Sequence, residues 1–145
     1  MRADATAATA VAEEALRPPA HVRGSGRCTV TPVLDRDGRQ LLPAGAVAIL
    51  LYAAANRDPR RFADPHELLP GRAVASHLAF GTGPHRCLGA PLAMLACTAM
   101  LRRLAELGPL HTPLTPEAAR WGEQFAFGGL VSLPLHVATP AAVAR

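Results

Sequence analysis

One cysteine of this sequence stands in a segment whose residue types favour a metal ligand. Cys87 lies in the stretch FGTGPHRCLG, residues 80–89, together with three glycines, a proline and a histidine two residues before the cysteine. A ligating cysteine acts as a thiolate, so it needs N–H donors nearby and little competing water. A cysteine that only fills space needs none of these neighbours. The pattern predicts a thiolate ligand to iron at Cys87, with a small buried side chain as the alternative.

The neighbours of Cys87 suit a flat ligand. Phe80 is expected to shield the sulfur, and His85 to donate a hydrogen bond to an anionic group at the ligand's edge. The helix predicted after the loop points its positive N-terminal end toward the thiolate. Tight turns and a close approach of the backbone are possible at three glycines, Gly81, Gly83 and Gly89.

Composition excludes several classes of protein. The chain has 145 residues, half of them hydrophobic and 18% charged, so we expect a folded domain rather than a disordered one. Its 15 basic residues are all arginines and are scattered, whereas a nucleic-acid platform would cluster basic and stacking residues. No apolar run reaches the length of a membrane span, and the N-terminal residues lack the basic-then-apolar order of a signal peptide. The sequence predicts a cytoplasmic protein without nucleic-acid or membrane partners, and its three cysteines suggest no disulfide framework.

The order of predicted elements mixes helices and strands. Residues 1–10 are expected to be disordered, and the following helix to end at Pro18-Pro19. Strands are predicted between Cys28 and Tyr52, with a tight turn at Asp37-Gly38 and a buried run AVAILLY. An irregular meander, the cysteine loop, a helix to about Glu106 and two strands around Gly128-Gly129 complete the order.

The helix after the cysteine loop is unusual because it lacks a polar face. Residues 88–101 carry no charge, whereas a surface helix shows polar residues on one side. Such a helix is predicted to be buried. The remaining elements give it too little cover, which indicates the interior part of a larger protein.

Phe80, Gly83, His85, Cys87 and Gly89 together resemble the heme-binding signature of the cytochrome P-450 family. The resemblance extends from about Val11 to Val137. It includes Glu14 and Arg17 at the E-x-x-R spacing of the family's K helix, where the pair stabilises the heme-side core. An ordinary ion pair three residues apart on a helix is the alternative for that pair. The meander AANRDPRRFADPH and the terminal hairpin are also similar to those of the family.

The resemblance implies the C-terminal part of the P-450 fold. Residues 11–138 form its partial heme-binding domain and residues 139–145 a tail, while the distal helices are absent. The expected elements are a K-type helix, a small β-sheet, the meander, the ligand loop, a buried L-type helix and a terminal β-hairpin. Cys87 is the expected axial ligand of heme b. Cofactor-binding roles are implied for Arg27, Phe80, Gly81, Gly83, His85, Cys87 and Gly89, and substrate-lining roles for Val22, Gly24, Ala126 and Phe127.

The implied function is that of a bacterial heme-thiolate monooxygenase, which inserts one oxygen atom into an apolar small molecule. The expected partners are a ferredoxin-type electron donor, an apolar substrate and a second chain that supplies the missing distal half. Arg86, Arg102 and Arg103 would form part of a basic docking face for the donor, with a merely solvated face as the alternative.

Three residues depart from the family pattern. Glu67 stands where the meander usually has an arginine, and it is expected to repel Glu14. Met94 and Ala96 stand where an arginine and a glutamate are common. Losing one member of a buried charged network is costly, whereas losing several members together indicates drift from the family pattern. Two alternatives therefore stay open, a heme-binding remnant that cannot activate dioxygen and a small interaction protein without heme.

Overall fold

We describe a computed structural model of the chain for residues 5–72, 76–107, 110–111, 118–122 and 127–137. The elements are mixed, as the sequence predicts. Three α-helices are α1 (Ala5–Leu16), α2 (Tyr52–Ala55) and α3 (Ala90–Glu106), and a 3₁₀ turn covers Gly83–His85. The strands are β1 (Gly24–Cys28), β2 (Val33–Leu34), β3 (Gln40–Leu42), β4 (Val47–Leu51), β5 (Leu110–His111), β6 (Arg120–Trp121), β7 (Leu130–Ser132) and β8 (His136–Val137).

Helix α1 begins earlier than the sequence pattern predicted. Residues 5–10 are helical, so the expected disorder of residues 1–10 is wrong for this part, and residues 1–4 lie outside the described ranges. Alanine, the strongest helix former, occupies half of α1 and permits this extension. The helix packs against α3, and its buried small side chains are Ala8 and Ala12. It ends before Pro18-Pro19, as predicted.

Four antiparallel strand pairs make up the β-structure of the described ranges. Strand β1 pairs with β4 from Gly24 opposite Leu51 to Cys28 opposite Val47. The β2–β3 hairpin turns at Asp37-Gly38, as predicted, because Gly38 adopts a positive φ of 80° and the Asp35 carboxylate accepts the N–H groups of Asp37 and Arg39. Strand β6 pairs with β7, and β5 with β8, which agrees with the predicted C-terminal hairpin.

Two segments predicted to be buried are exposed in the described part of the chain. Strand β4, the core of the AVAILLY run, exposes Val47 and Ile49, and α3 exposes Leu92 to 71% and buries only Ala90. Leu88, just before α3, is 97% exposed. For β4 the predicted burial is not found among the described residues, because none of their elements forms a layer over it. The exposure of α3 agrees with the expectation that the other elements of this chain give it too little cover, and its burial in a larger protein stays a prediction.

The described core is small and unusually polar. Its buried apolar side chains are alanines and Phe62, whereas its largest fully buried side chains are Arg17 and Asn56. These residues join α1 to the meander and to the segment that leads into the cysteine loop. Among the described helices, none has the length and hydropathy to cross a membrane. The cytoplasmic location stays a prediction.

Candidate functional site

The cysteine loop is closed by its own backbone hydrogen bonds. The Cys87 N–H donates to the Phe80 carbonyl over 2.8 Å, and the Arg86 N–H donates to the Gly83 carbonyl over 3.0 Å. Gly81 and Gly83 have φ values of 67° and 72°, in the left-handed region that favours glycine. These two glycines let the chain reverse direction before Cys87, as the sequence predicts.

Cys87 lies at the N-terminal end of α3, with its side chain exposed. The carbonyl of Cys87 accepts the N–H of Ala90, the first residue of the helix. Gly89 has an ordinary φ of −79°, so backbone conformation does not require glycine there. A Cβ at Gly89 would lie 3.8 Å from the Cys87 sulfur, so glycine leaves open space beside that atom. In the described structure Cys87 is exposed rather than a small buried side chain, and its role as a ligand stays a prediction.

A cavity of about 380 Å³ opens above the loop and joins it to strand β1. It brings together six of the predicted site residues. The ones on the loop are Phe80, Gly81, His85 and Cys87, and the ones from the other wall are Val22 and Arg27. Three predicted residues, Gly24, Gly83 and Gly89, do not line this cavity. The other lining residues are Leu16, His21, Ser25, Tyr52 and Ala79.

The charge of this cavity is positive. Arg27 donates to the Gly26 carbonyl over 2.8 Å, to the Ser25 hydroxyl, and to the Tyr52 hydroxyl over 3.4 Å. No carboxylate is among the described lining residues, so the guanidinium of Arg27 has neutral partners there. An anionic ligand edge could therefore pair with this arginine.

Tyr52 is a site residue that the sequence analysis missed. It follows β4 directly, and the pairing of Gly24 with Leu51 brings it beside β1. The Asp37-Gly38 turn could have indicated this, because a hairpin-like return of the chain places the end of β4 beside the start of β1.

The predicted substrate-lining residues come partly together. Val22 forms an antiparallel bridge with Phe127, and the Gly128 N–H donates to the His21 carbonyl over 2.9 Å. Gly24 lies in β1, where an added Cβ would come within 2.9 Å of the Leu50 carbonyl, so a side chain would not fit. Ala126 lies outside the described residues. The C-terminal hairpin thus closes on the segment that precedes β1.

A buried ion-pair network lies behind the cysteine loop. Arg17 holds Glu14 through two hydrogen bonds, of 2.8 and 2.9 Å, and its guanidinium lies 5.2 Å from the Phe62 ring centre. Arg72 donates to the same carboxylate over 2.8 Å. Burial raises the pKa of Glu14, but the hydrogen bonds from Arg17 and Arg72 outweigh it and lower the pKa from 4.5 to about 2. The pair is therefore a buried network and not an ordinary surface ion pair.

The expectation that Glu67 would repel Glu14 is wrong. The Glu67 side chain is exposed, and its backbone carbonyl accepts hydrogen bonds from Arg17 over 3.1 Å and from Arg72 over 2.9 Å. Arg72, five residues later, supplies the second arginine that the family pattern led us to expect at position 67. Arg72 was not predicted from the sequence, because it lies 58 residues from Glu14 and at a different position from the arginine of the family pattern.

The departures at Met94 and Ala96 leave no unpaired charge behind. Met94 is half-buried and Ala96 is exposed on α3. Every buried side-chain nitrogen and oxygen in the described ranges has a hydrogen-bond partner. The expected cost of a broken network is therefore absent from the described structure.

The family model described as Cytochrome P450 matches residues 1–106, nearly three-quarters of the chain. The chain belongs to the cytochrome P450 family. This agrees with the resemblance on which the site residues were predicted, and it makes heme the cofactor that the family implies.

Cytochrome P450 relatives match most of the chain. It is 40% identical over 138 residues to the cytochrome P450 monooxygenase PikC of Streptomyces venezuelae, covering 94% of this chain and 33% of that protein. Cytochrome P450 107B1 of Saccharopolyspora erythraea is 36% identical, with 94% of this chain and 34% of that protein covered. The tirandamycin C-bound P450 monooxygenase TamI superposes with a TM-score of 0.82 at 36% identity, covering 94% of this chain and 34% of TamI. The chain thus spans about a third of the length of these cytochrome P450 relatives.

Proposed function

We propose that the chain is the heme-binding portion of a cytochrome P450 monooxygenase and holds heme b through Cys87. The observation that carries this proposal is the exposed Cys87 side chain at a cavity that also contains Arg27 and His85. A thiolate donor on one side and cationic or N–H donors at the edge are the groups that an iron porphyrin with propionates requires. The residues present therefore fit the cofactor.

Each predicted site residue has a role in this proposal. Cys87 ligates the iron as a thiolate, and Phe80 shields the sulfur from water. Arg27 and His85 bind the propionates, with Tyr52 and Ser25 orienting the Arg27 guanidinium. Gly81 and Gly83 shape the loop, and Gly89 leaves space beside the sulfur. Val22 lines the cavity, and the β-bridge joins it to Phe127. Substrate-lining roles in the complete enzyme are part of the proposal for Val22, Gly24, Ala126 and Phe127.

The complete enzyme would oxidise an apolar small molecule. Bound heme supplies the oxygen chemistry, to which thiolate ligation contributes electron density, and the protein binds, orients and excludes water. Two electrons come from a ferredoxin-type donor. Arg86, Arg102 and Arg103 are exposed on one end of the loop and on α3, and we propose them as part of the donor's docking face.

The remaining two-thirds of the cytochrome P450 fold would cover the exposed apolar side chains of α3 and β4. This proposal rests on the share of the relatives that the chain spans and on the exposure of Leu88, Leu92 and Ile49. The covering part would lie on the same polypeptide or on a second chain. The alternative is a chain that binds heme but does not activate dioxygen. The exposed face of α3 favours this alternative for residues 1–145 in the absence of the covering part.

The first experiment is the carbon monoxide difference spectrum of the reduced, heme-supplemented chain. We expect the strongly red-shifted Soret band of thiolate ligation, and we expect Cys87→Ser to abolish it. Cys97→Ser, on the half-exposed cysteine of α3, is the matched control and should keep the band. A band typical of histidine ligation, or an unchanged spectrum in Cys87→Ser, would refute the role of Cys87.

The propionate roles need a second measurement. Arg27→Ala and His85→Ala should weaken heme retention during gel filtration while the far-ultraviolet circular dichroism stays unchanged. Equal retention by both variants and the wild type would remove these two roles and leave the ligation by Cys87 intact. Product formation, measured with the complete enzyme and a reduced ferredoxin, would separate a monooxygenase from a heme-binding remnant.

A further inference from the structure

The segment that leads into the cysteine loop is held at three successive residues. The His77 ring contacts Glu13, the Leu78 N–H donates to the Asn56 side-chain oxygen over 2.6 Å, and the Ala79 N–H donates to the His77 ring over 3.1 Å. Ordering irregular backbone costs conformational entropy, which these three contacts offset. These contacts lie directly before Phe80 and therefore fix the point at which the chain enters the cysteine loop.

The hydrogen bonds of His77 define its tautomer. The Ala79 N–H can only donate, so Nδ1 of His77 accepts and carries no proton. Nε2 then carries the proton and donates to the Glu13 carboxylate over 2.9 Å. The His77 side chain is only 6% exposed, whereas Glu13 is 42% exposed on α1. A nearly buried ring is thus fixed at both nitrogens, in one orientation.

Asn56 ties the same segment to the buried ion-pair network. Its side chain donates to the Arg17 carbonyl over 3.0 Å while accepting from Leu78, and its own carbonyl accepts from the Arg17 guanidinium over 2.7 Å. Asn56 is fully buried. The segment is therefore fixed at two points, to Glu13 on α1 and to Arg17 directly after it.

Phe80 connects this segment to Cys87. The rings of His77 and Phe80 have centres 6.0 Å apart and planes inclined at 42°. The carbonyl of Phe80 accepts the N–H of Cys87. A shift of the His77 ring would therefore be passed through Phe80 to the backbone of the cysteine.

We propose that His77, oriented by Glu13, is a positioning residue for the Cys87 loop and acts through Phe80. The spectroscopic part of this inference rests on the proposed heme ligation, whereas the ordering of the loop does not. His77 is not among the residues that line the 380 Å³ cavity beside Cys87. Its proposed contribution is to fix the orientation of the loop.

Amide hydrogen exchange in the full chain without heme tests the ordering of the loop. His77→Phe keeps a ring against Phe80 but loses both hydrogen bonds, so we expect the amides of Ala79 and Cys87 to exchange about tenfold to a hundredfold faster. The amides of Thr29 and Ala46, which close the far end of the β1–β4 pair, should be unaffected. His66→Ala, at an exposed histidine of the meander, is the matched control.

Two variants of Glu13 give the same test without touching the ring. Glu13→Ala should reproduce part of the acceleration, and Glu13→Gln should restore protection because its amide oxygen still accepts from Nε2. If His77→Phe fails to fold, these two variants still test whether the His77–Glu13 contact orders the Cys87 loop. Unchanged exchange at Ala79 and Cys87, or equal acceleration at Thr29 and Ala46, would overturn the proposal, because a merely structural role lowers protection everywhere.

The heme-supplemented chain provides the second readout. At equal heme content, His77→Phe should lower the fraction of the reduced carbon monoxide complex in the thiolate-type band, and His66→Ala should not. An unchanged fraction would refute the positioning of the ligand. If the wild type binds no heme, the proposed function fails, and the exchange measurement still decides whether His77 orders the loop.

Discussion

A glutamate and an arginine three residues apart form an ion pair at the C-terminal end of α1 and another within α3, and the two pairs share a distance but differ in burial. Glu14 on α1 and Arg17, which directly follows α1, approach to 2.8 Å with side chains 6% and 1% exposed. Arg103 and Glu106 on α3 also approach to 2.8 Å, with side chains 72% and 57% exposed. The α1 pair has Arg72 and the carbonyls of the meander as further partners, while the described structure gives the α3 pair only each other. The spacing of three residues brings the two charges together in both pairs. Burial and further hydrogen-bond partners decide how much each ion pair contributes to stability.

The comparison extends to the whole of both regions. Around α1, the buried charged and polar groups find all their hydrogen-bond partners within the described ranges. Around α3 and β4, large apolar side chains such as Leu92 and Ile49 are uncovered. The polar junction is complete in this chain, and the apolar packing is not. Four changes test this difference, from the largest expected effect to the smallest.

Replacing the buried arginine should have the largest effect. We expect Arg17→Met to lower the free energy of unfolding by about 3–5 kcal/mol, because it leaves the Glu14 carboxylate buried with a single arginine. The matched change Arg103→Met should cost less than about 1 kcal/mol. Urea unfolding of both variants measures the difference. Similar losses in the two variants would mean that burial does not distinguish the pairs.

Lowering the pH should have the second-largest effect, because it protonates the Glu14 carboxylate of the buried network. The pKa of Glu14 is lowered to about 2 in the folded chain, so its contribution is complete above its unfolded value of about 4.5 and is lost as the pH falls toward 2. The loss should be about 3 kcal/mol, since one pKa unit corresponds to about 1.4 kcal/mol. We expect urea unfolding to show this decline in the wild type and a flatter pH dependence in Glu14→Gln. Parallel curves would contradict the network's role.

Charges on the exposed face of α3 should affect association rather than folding. Leu92→Glu and Leu95→Glu lie on exposed positions, so we expect each to change the free energy of unfolding by less than about 0.5 kcal/mol. Both should reduce self-association in analytical ultracentrifugation, because they interrupt the uncovered apolar face. Ala90→Glu, at the buried position of α3, is the control that should destabilise the fold. Large losses of stability in the leucine variants would show that the chain buries this face itself.

The smallest effect is expected at Glu67. Its backbone carbonyl makes the contacts with Arg17 and Arg72, and its side chain is exposed, so Glu67→Arg should change the melting temperature by no more than about 2 °C. Arg72→Met should lower the melting temperature clearly, because Arg72 holds the Glu14 carboxylate. A marked stabilisation by Glu67→Arg would restore the expectation that an arginine is missing at that position.

Local sequence signals predicted the loop and the turns well. Gly81 and Gly83 adopt positive φ values, Gly38 closes the predicted turn, and Pro18-Pro19 follows the end of α1, because these residues restrict or free the backbone by themselves. Partners distant in sequence were predicted poorly. Arg72 and Tyr52 were missed, since the chain brings them to Glu14 and Arg27 across 58 and 25 residues.

The sequence alone was enough to predict the family, which the comparisons confirm, and to single out Cys87 as the proposed ligand in the loop. Those properties depend on residue types at short spacings, which act through local backbone geometry and side-chain chemistry. Only the tertiary structure decided that Glu14 is held by Arg17 and Arg72 and that His77 is fixed between Glu13 and Ala79. It also decided that α3 is exposed here, because burial depends on which other elements are present to cover a face and cannot be obtained from the helix's own residues.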